Sequence, residues 1–503
     1  MSGLRRLLGT VCLLVAAVLL AGCTEAPLPD PVDPSSPSPS PRPYLTIGTT
    51  DVITQPDPAG ITTQASSAMA FNVFQRLMTV PPTVGDEEVF PKPEAAQECQ
   101  VESVTVYLCI LNPGMTFHNG HALTSSDVKF SIERALRLDV EGTGVSGLEV
   151  LRRIETPDDL TIRFELNRPD NRFNFALASP VASIVDEEVY DPDRLRGADL
   201  SVAGSGPYRV SQLGEEQVRF DRFAKYIGPT AGLQQTLLLQ SFPDSGSLEQ
   251  AMTEQRVDAV WRGLGSAAVT RMVAQIAASP QQRTEAGFAE QRVPGARVHR
   301  LHWSPDSPLR PDAALRDAVN VALQGDRTLD SIVPPTVAGY VPSFDVGGQA
   351  TPQERPGRSN LVLSYDSTVP DGGDLANVVR SRIEAAGDMS VRVAPDAAEA
   401  DLFLVDEKAW TPTAEAWLQA YVNSPAVGST VRVQELMDRY RAETDPVIIE
   451  GLLSELQKQA GADAVLLPLD QSDEPIYLAE GTSWTPGSFG PGWQLGLWGI
   501  TRA

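Results

Sequence analysis

The side chains best able to do chemistry in this 503-residue chain are few, and their spacing excludes more than it allows. Its four histidines fall into two pairs, His118 with His121 and His299 with His302. A closed zinc or nickel site needs such side chains convergent and joined by further ligands. His118 and His121 flank Asn119-Gly120, a tight-turn pair, which predicts exposed turn residues. His299 and His302 sit in "RVHRLHW", where strand alternation sends them to opposite faces. No metal is therefore expected, and no cofactor motif is present. A serine hydrolase of the nucleophile-elbow type needs G-x-S-x-G, which does not occur; "RGLGS", from Arg262 to Ser266, carries its glycines and serine in the wrong arrangement. The phosphate-cradling P-loop is missing too, so this chain is not expected to hydrolyse ATP or to be an enzyme. Binding is the chemistry that remains.

The elements that would position a binding site read as mixed α/β. Residues 44–49, "YLTIGT", predict a strand, and 66–78 predict a helix with Ala68, Phe71, Val73 or Phe74 and Leu77 at helical spacing. Thr124 with Asp127 three residues later forms a capping box that starts a helix carrying Val128, Ile132, Ala135 and Leu136 on one face. "DDLTIRFEL" and "YRVSQL" predict strands, and 247–261 predicts a helix running into a strand. Residues 357–395 read as strand, helix and strand. No repeat with a period of 20 to 50 residues is evident, which excludes a solenoid or propeller.

The N-terminus has a different character. Arg5 and Arg6 precede an apolar run over 7–20, too short for a membrane span but suited to an export signal. It ends in Leu20-Ala21-Gly22-Cys23, which resembles the lipobox of bacterial lipoproteins. That resemblance implies removal of residues 1–22 and fatty-acyl (palmitate-type) modification of Cys23; stable anchoring takes at least two chains. Eight prolines between Pro27 and Pro43 favour extended polyproline II, so 23–43 reads as a stalk reaching roughly 60 Å. The net charge is −25, and losing Arg5 and Arg6 makes it −27. Such acidity offers no electrostatic footprint for nucleic acid. In an exported body the two cysteines Cys99 and Cys109 suggest a disulfide. A hairpin turning near Glu102-Ser103 would instead place Val106 opposite Cys99, with Cys109 about 10 Å further along the strand and beyond bridging reach. Both readings stay open.

Several stretches together resemble the family 5 extracellular solute-binding proteins, the oligopeptide, dipeptide and nickel class that feeds ABC importers. They are "FHNGHALTSSDVKFSIER" (117–134), "GSGPYRV" (204–210), "SLEQAMTEQRVDAV" (247–260), "LRDAVNVALQGDR" (315–327) and "VQELMDRYRAETD" (433–445) with "GADAVLLPL" (461–469). The resemblance implies a two-lobed periplasmic-binding-protein-like α/β fold with an enlarged lobe I and two crossovers forming a hinge. Lobe I would take 44–268 plus 477–503 and lobe II 269–476. The C-terminal "PGWQLGLWGITRA" supports the return to lobe I, because its tryptophans and leucines need a core to enter. The implied function is a membrane-anchored monomer that closes on a small solute, such as an oligopeptide, and delivers it to an ABC permease. The alternative is a surface lipoprotein of the same fold with a regulatory, sensing or chaperone role.

Site residues follow by the same resemblance. In peptide-binding members the aspartate that holds the ligand amine lies four residues before a proline, and here that position is Lys408. An ammonium cannot pair with an ammonium, so an anionic group would be favoured, unless a loop shifted by one or two residues lets Asp406 or Glu407 supply the charge. Trp410 is either an aromatic pocket wall or a packing residue. Trp261-Arg262, near the first crossover, offers a planar fork to a carboxylate or phosphate, or else a surface salt bridge. Asp51 and Tyr421 complete the candidates.

Overall fold

The computed structural model describes residues 44–81, 90–197, 202–348, 357–409, 413–485, 487–490 and 492–502. Cys23, its stalk and Trp410 lie outside these residues. Tyr44–Ala503 forms one compact unit. Its backbone is a ten-stranded mixed sheet. At the centre two long strands, Ala289–Trp303 and Leu466–Leu478, pair antiparallel along most of their lengths.

Each end of this pair serves a different core. On one side Leu466–Leu478 pairs through Ile476–Leu478 with Ala259–Trp261, followed by Leu45–Thr49, Thr236–Ser241, Gln217–Arg222 and Tyr208–Leu213. On the other, His299–Trp303 pairs with Leu402–Asp406, followed by Ser359–Tyr365 and Met389–Val393. Val293, Ala296, Ile476 and Leu478 pack into the core around Leu45, Ile47 and Trp261. Val298, Leu301, Leu467 and Leu469 pack into a second core with Trp303, Leu363 and Trp417. The changeover coincides with a register shift between Val293 and Arg297, at Gly295, whose φ of +59° is the left-handed region that suits glycine.

The C-terminal segment returns to the first core, as its apolar residues predict. Leu495, Leu497 and Ile500 are buried there. Asn72, inside the helix Gln64–Val73, clamps the segment by donating to the Leu495 carbonyl and accepting from the Leu497 N–H, both at 2.7 Å. The two glycines of "GSGPYRV" permit a close approach to the same helix end. A Cβ on Gly204 would stand 2.0 Å from the Val73 carbonyl oxygen, which no real contact tolerates. The capping box forms as expected: the Asp127 carboxylate accepts from the Thr124 N–H at 2.8 Å and starts the helix Ser125–Leu138.

A third core lies under a four-stranded antiparallel sheet, ordered Ala96–Ser103, Val106–Leu111, Thr161–Leu166 and Leu151–Glu155. Here the expected hairpin register is corrected. The turn falls at Val104-Thr105, two residues later than expected, with the Ser103 hydroxyl accepting from the Thr105 N–H. Cys99 therefore faces Cys109 at a Cα separation of 4.1 Å and the two are bonded. This third core reaches across to the second at a rim far from the long strands. Asn171 donates its backbone N–H to the Arg441 carbonyl (3.1 Å) and its side-chain amide to the carbonyls of Tyr440 and Glu443. Arg172 donates to the Tyr440 hydroxyl at 2.7 Å.

Because the disulfide ties two directly facing residues of a small sheet, replacing both cysteines by alanine is expected to lower stability by about 2–4 kcal/mol. Denaturant titration of the oxidised wild type against the double variant measures it, and coincident midpoints would contradict the expectation.

Candidate functional site

Between the first and second cores opens a cleft of about 1240 Å³. That is larger than the roughly 300–1,000 Å³ of an ordinary small-molecule pocket, and suits an extended ligand. Of the two long strands, Ala289–Trp303 reaches the cleft through His299 and His302. From the first core's side come Asp51, in the loop after Leu45–Thr49, and Arg262, directly after Ala259–Trp261. From the second side come Asp406, Glu407 and Lys408, at the end of Leu402–Asp406.

Local backbone geometry aims Arg262. Arg262 and Gly263 both take positive φ, +59° and +96°, so the chain turns sharply where the strand ends. A Cβ on Gly263 would stand 2.6 Å from the Thr50 backbone nitrogen, so only glycine fits the turn. The glycine that disqualifies this stretch as a hydrolase elbow thus has a structural task. The guanidinium meets Asp51 at 2.9 Å, Glu474 at 3.8 Å and Asp406 at 4.0 Å. It bridges the two sides of the cleft.

Asp406 is the centre of this cluster, its side chain only 2 % exposed. One carboxylate oxygen accepts from Lys408 Nζ at 2.6 Å and the other from Arg297 Nε at 3.3 Å. Burial alone would push its pKa up; Lys408, Arg262 and Arg297 outweigh it and hold the carboxyl well below the usual range. Arg297 is fixed in turn by a two-pronged bond to Asp371, at 2.6 and 2.9 Å. Glu474, buried close by, is pushed upward by desolvation, which Arg262 and Lys408 only partly offset. Burial likewise draws the Lys408 ammonium downward against the pull of Asp406. A second, separate cluster lies beside it. Glu407 accepts from Arg300 and His302, both at 3.0 Å, and Arg300 stacks over Trp417 with its side chain fully buried. Desolvation raises the Glu407 pKa, but Arg300 and the bonded His302 bring it down to about 2.

Of the residues singled out in the sequence, Asp51, Arg262, Asp406, Glu407 and Lys408 line one cleft. Trp261 and Tyr421 do not. Trp261 is fully buried in the first core, and Tyr421 donates its hydroxyl to Asp463 at 2.8 Å within the second. Trp410 falls outside the described residues. The histidines depart from expectation in two ways. His118 is no exposed turn residue: it bonds the Gly206 carbonyl oxygen, and burial lowers its pKa to about 4. His299 and His302 both line the cleft, although their strand pairs with Leu402–Asp406 in unbroken register and the irregularity on its other side leaves out Leu469 of the partner strand. Their partners are carboxylates, Asp470 at 2.9 Å and Glu407. Among the described residues no group of three or more His, Cys, Asp or Glu side chains could hold a metal ion. Sequence reasoning missed Arg297, Asp371 and Glu474. Two arginines set beside Val298 and Leu301 in a strand rich in apolar residues were the available signal for Arg297 and Arg300.

Residues 91–473 match the family described as bacterial extracellular solute-binding proteins, family 5 Middle. The chain belongs to that family. Among curated relatives, the dipeptide-binding protein of Escherichia coli (strain K12) is 25% identical over 320 residues, 56% of each chain. Di/tripeptide-binding protein 4 of Pseudomonas aeruginosa (strain UCBPP-PA14) is 30% identical over 182 residues, 32% of each. The family 5 chain thus spans about half the length, or less, of the curated relatives it matches. Among solved structures, the dipeptide-binding protein of Pseudoalteromonas sp. SM9913 in complex with Met-Leu aligns with a TM-score of 0.75 at 16% identity, covering 92% of this chain and 100% of that one. The binding protein AgaA of A. tumefaciens R10, in complex with agropinic acid, aligns at 0.76 and 18% identity, covering 92% and 99%. These likenesses establish the two-lobed α/β fold of this family.

The Glu407 cluster makes a pH-dependent prediction. A carboxyl whose folded pKa is depressed stabilises the fold above its unfolded value and loses that contribution as pH falls through the folded one. Glu407→Gln is expected to cost about 3–5 kcal/mol near neutrality, because it leaves fully buried Arg300 uncompensated. The gap to wild type should then narrow from the ordinary 4.5 down to about 2. Paired thermal melts across that range test it, and a gap independent of pH would contradict the assignment.

Proposed function

We propose that this family 5 chain is a lipid-anchored extracytoplasmic binding protein that closes around a peptide-like solute and hands it to an ABC permease. The observation that carries this reading is the large cleft between two cores that, among the described residues, meet at the central strands, the charged seam, the Trp417–Trp493 ring pair and a few rim hydrogen bonds. Family membership and the printed names of the dipeptide-binding relatives support the solute class. Lobe I holds the first and third cores, the C-terminal segment and the helix Ser266–Ala278, whose Met272 packs with Phe242, Leu248 and Val260. Lobe II holds the second core. The hinge lies where the long strands change cores, at about residues 293–298 and 469–476. Closure about it would bury the solute and bring both lobes to one permease-facing surface.

The state of Lys408 bears on what enters. Its ammonium is committed to Asp406, Arg262 to Asp51, and Arg297 to Asp371. A solute carboxylate therefore finds no uncommitted cation in this cluster, which weighs against the anion preference suggested by Lys408 alone. A polar or peptide-like solute held largely through neutral contacts fits this wall better.

Anchoring rests on Cys23 and its small-residue neighbours. Among the described residues no helix is long and apolar enough to cross a membrane. Cys23→Ser is expected to release the protein from the membrane fraction, and retention there would refute lipidation. For the solute, native mass spectrometry of gently purified protein should detect a stoichiometric small molecule that denaturation releases. An empty protein with no thermal shift on adding di- and tripeptides would favour a sensing or chaperone lipoprotein instead.

A further inference from the structure

We propose that Lys408 is a built-in counter-ion that occupies the Asp406 carboxylate and closes it to cations arriving from the cleft, making Lys408 a specificity-determining residue. Three cations surround Asp406, and two are anchored elsewhere. Arg297 holds Asp371 with both prongs of its guanidinium, and Arg262 holds Asp51. Lys408 differs. Its hydrogen bond goes to Asp406, at 2.6 Å; its other neighbours are the ring of Trp493, 5.8 Å from the ammonium, and the Glu474 carboxylate, which attracts it from farther off. A lysine head is a compact point charge on a flexible stem with freely turning donors, so it is the cation an incoming ammonium could replace. Asp406 and Lys408 both line the cleft, so replacement would come from the side a solute enters.

The tether decides the competition. A charge on the same chain, two residues away, has an effective concentration far above that of a dilute solute. An ammonium on a solute would have to evict Lys408, which would then stand desolvated near Arg262 with only the more distant Glu474 carboxylate as a partner. A free amine therefore gains nothing here, and the protein treats free-amine and capped solutes alike. This rests on reading the cleft as a solute site, but the carboxylate's behaviour can be measured without any natural solute.

The test uses the full chain in mild detergent, followed by intrinsic tryptophan fluorescence on heating. Lys408→Ala leaves Asp406 facing a gap the size of the lost stem; Lys408→Met fills that gap without charge. Butylammonium chloride is expected to raise the melting temperature of Lys408→Ala relative to sodium chloride at equal ionic strength. Wild type and Lys408→Met should not respond, and adding Asp406→Asn to Lys408→Ala should abolish the effect. No response in Lys408→Ala, or an equal response in wild type, overturns the proposal. Titration with one dipeptide and its N-acetylated form supplies a second readout. Wild type should bind both alike, whereas Lys408→Ala should prefer the free amine about tenfold or more, the worth of one charge-assisted hydrogen bond. A wild-type preference of that size for the free amine overturns the proposal. If butylammonium acts as expected while neither peptide binds any variant, the counter-ion stands and the peptide-binding reading fails.

Discussion

The pairing of Ala289–Trp303 with Leu466–Leu478 is the constraint on which the rest of this molecule depends. Antiparallel strands of this length would ordinarily belong to one core. Here side chains on the same ladder enter one core up to Ala296 and another from Val298 onward, so one set of backbone hydrogen bonds holds two bodies together. A strand cannot change cores without losing regular pleating somewhere. The irregularity falls at Gly295, where positive φ costs glycine nothing and the Asp473 carboxylate and the Gln471 amide satisfy the freed backbone groups. The cleft exists because two compact cores joined by a thin sheet leave a gap on either side of it.

Charge concentrates at this seam for a related reason. At the changeover Ala296 and Val298 still enter the two cores, while the side chains between and around them face the enclosed cleft, where they are neither apolar-packed nor fully hydrated. Asp51, Arg262, Arg297, Asp371, Asp406, Lys408 and Glu474 meet there, contributed by both lobes and by both long strands. Burying such ions is costly unless each finds partners, and each does. The cluster adds little to stability compared with apolar packing of the same volume. Its weight lies in registry: Arg262 reaches Asp406 only when the lobes sit in this relation, since one residue belongs to each side.

Much of this was legible in the sequence. The capping box and the apolar C-terminal segment each encode a local or packing requirement, and each appears where expected. The cysteine register failed because it depends on where the turn falls, two residues later than expected; the placing of both His299 and His302 at the cleft was not legible from alternation along their own strand. Period-two reasoning settles neither. Trp261 shows a different difficulty: an aromatic beside a site arginine looks the same in sequence whether it faces ligand or core, and strand geometry sends neighbouring residues to opposite sides. Arg297, Asp371 and Glu474 went unread because their meaning lies in carboxylates and guanidinia brought together from segments far apart along the chain.

The far rim sets how firmly the cleft is held. Beyond the charged seam, the contacts across it among the described residues include the tilted ring pair of Trp417 and Trp493, 5.6 Å between centroids, the hydrogen bonds of Asn171 and Arg172 to 440–443 and one from the Ser266 hydroxyl to Asp374 at 2.7 Å. Each hydrogen bond is worth about 0.5–1.5 kcal/mol net of the water it displaces, so the rim contributes a few kcal/mol. Several of these acceptors are backbone carbonyls at the end of the helix Thr430–Ala442, which water can serve equally well when the rim parts. The seam behaves otherwise, because separating Arg262 from Asp406 leaves each with partners on its own side, Asp51 for one and Lys408 for the other. Opening therefore strands no buried charge, and the same pairings that make the closed geometry specific keep the open one accessible.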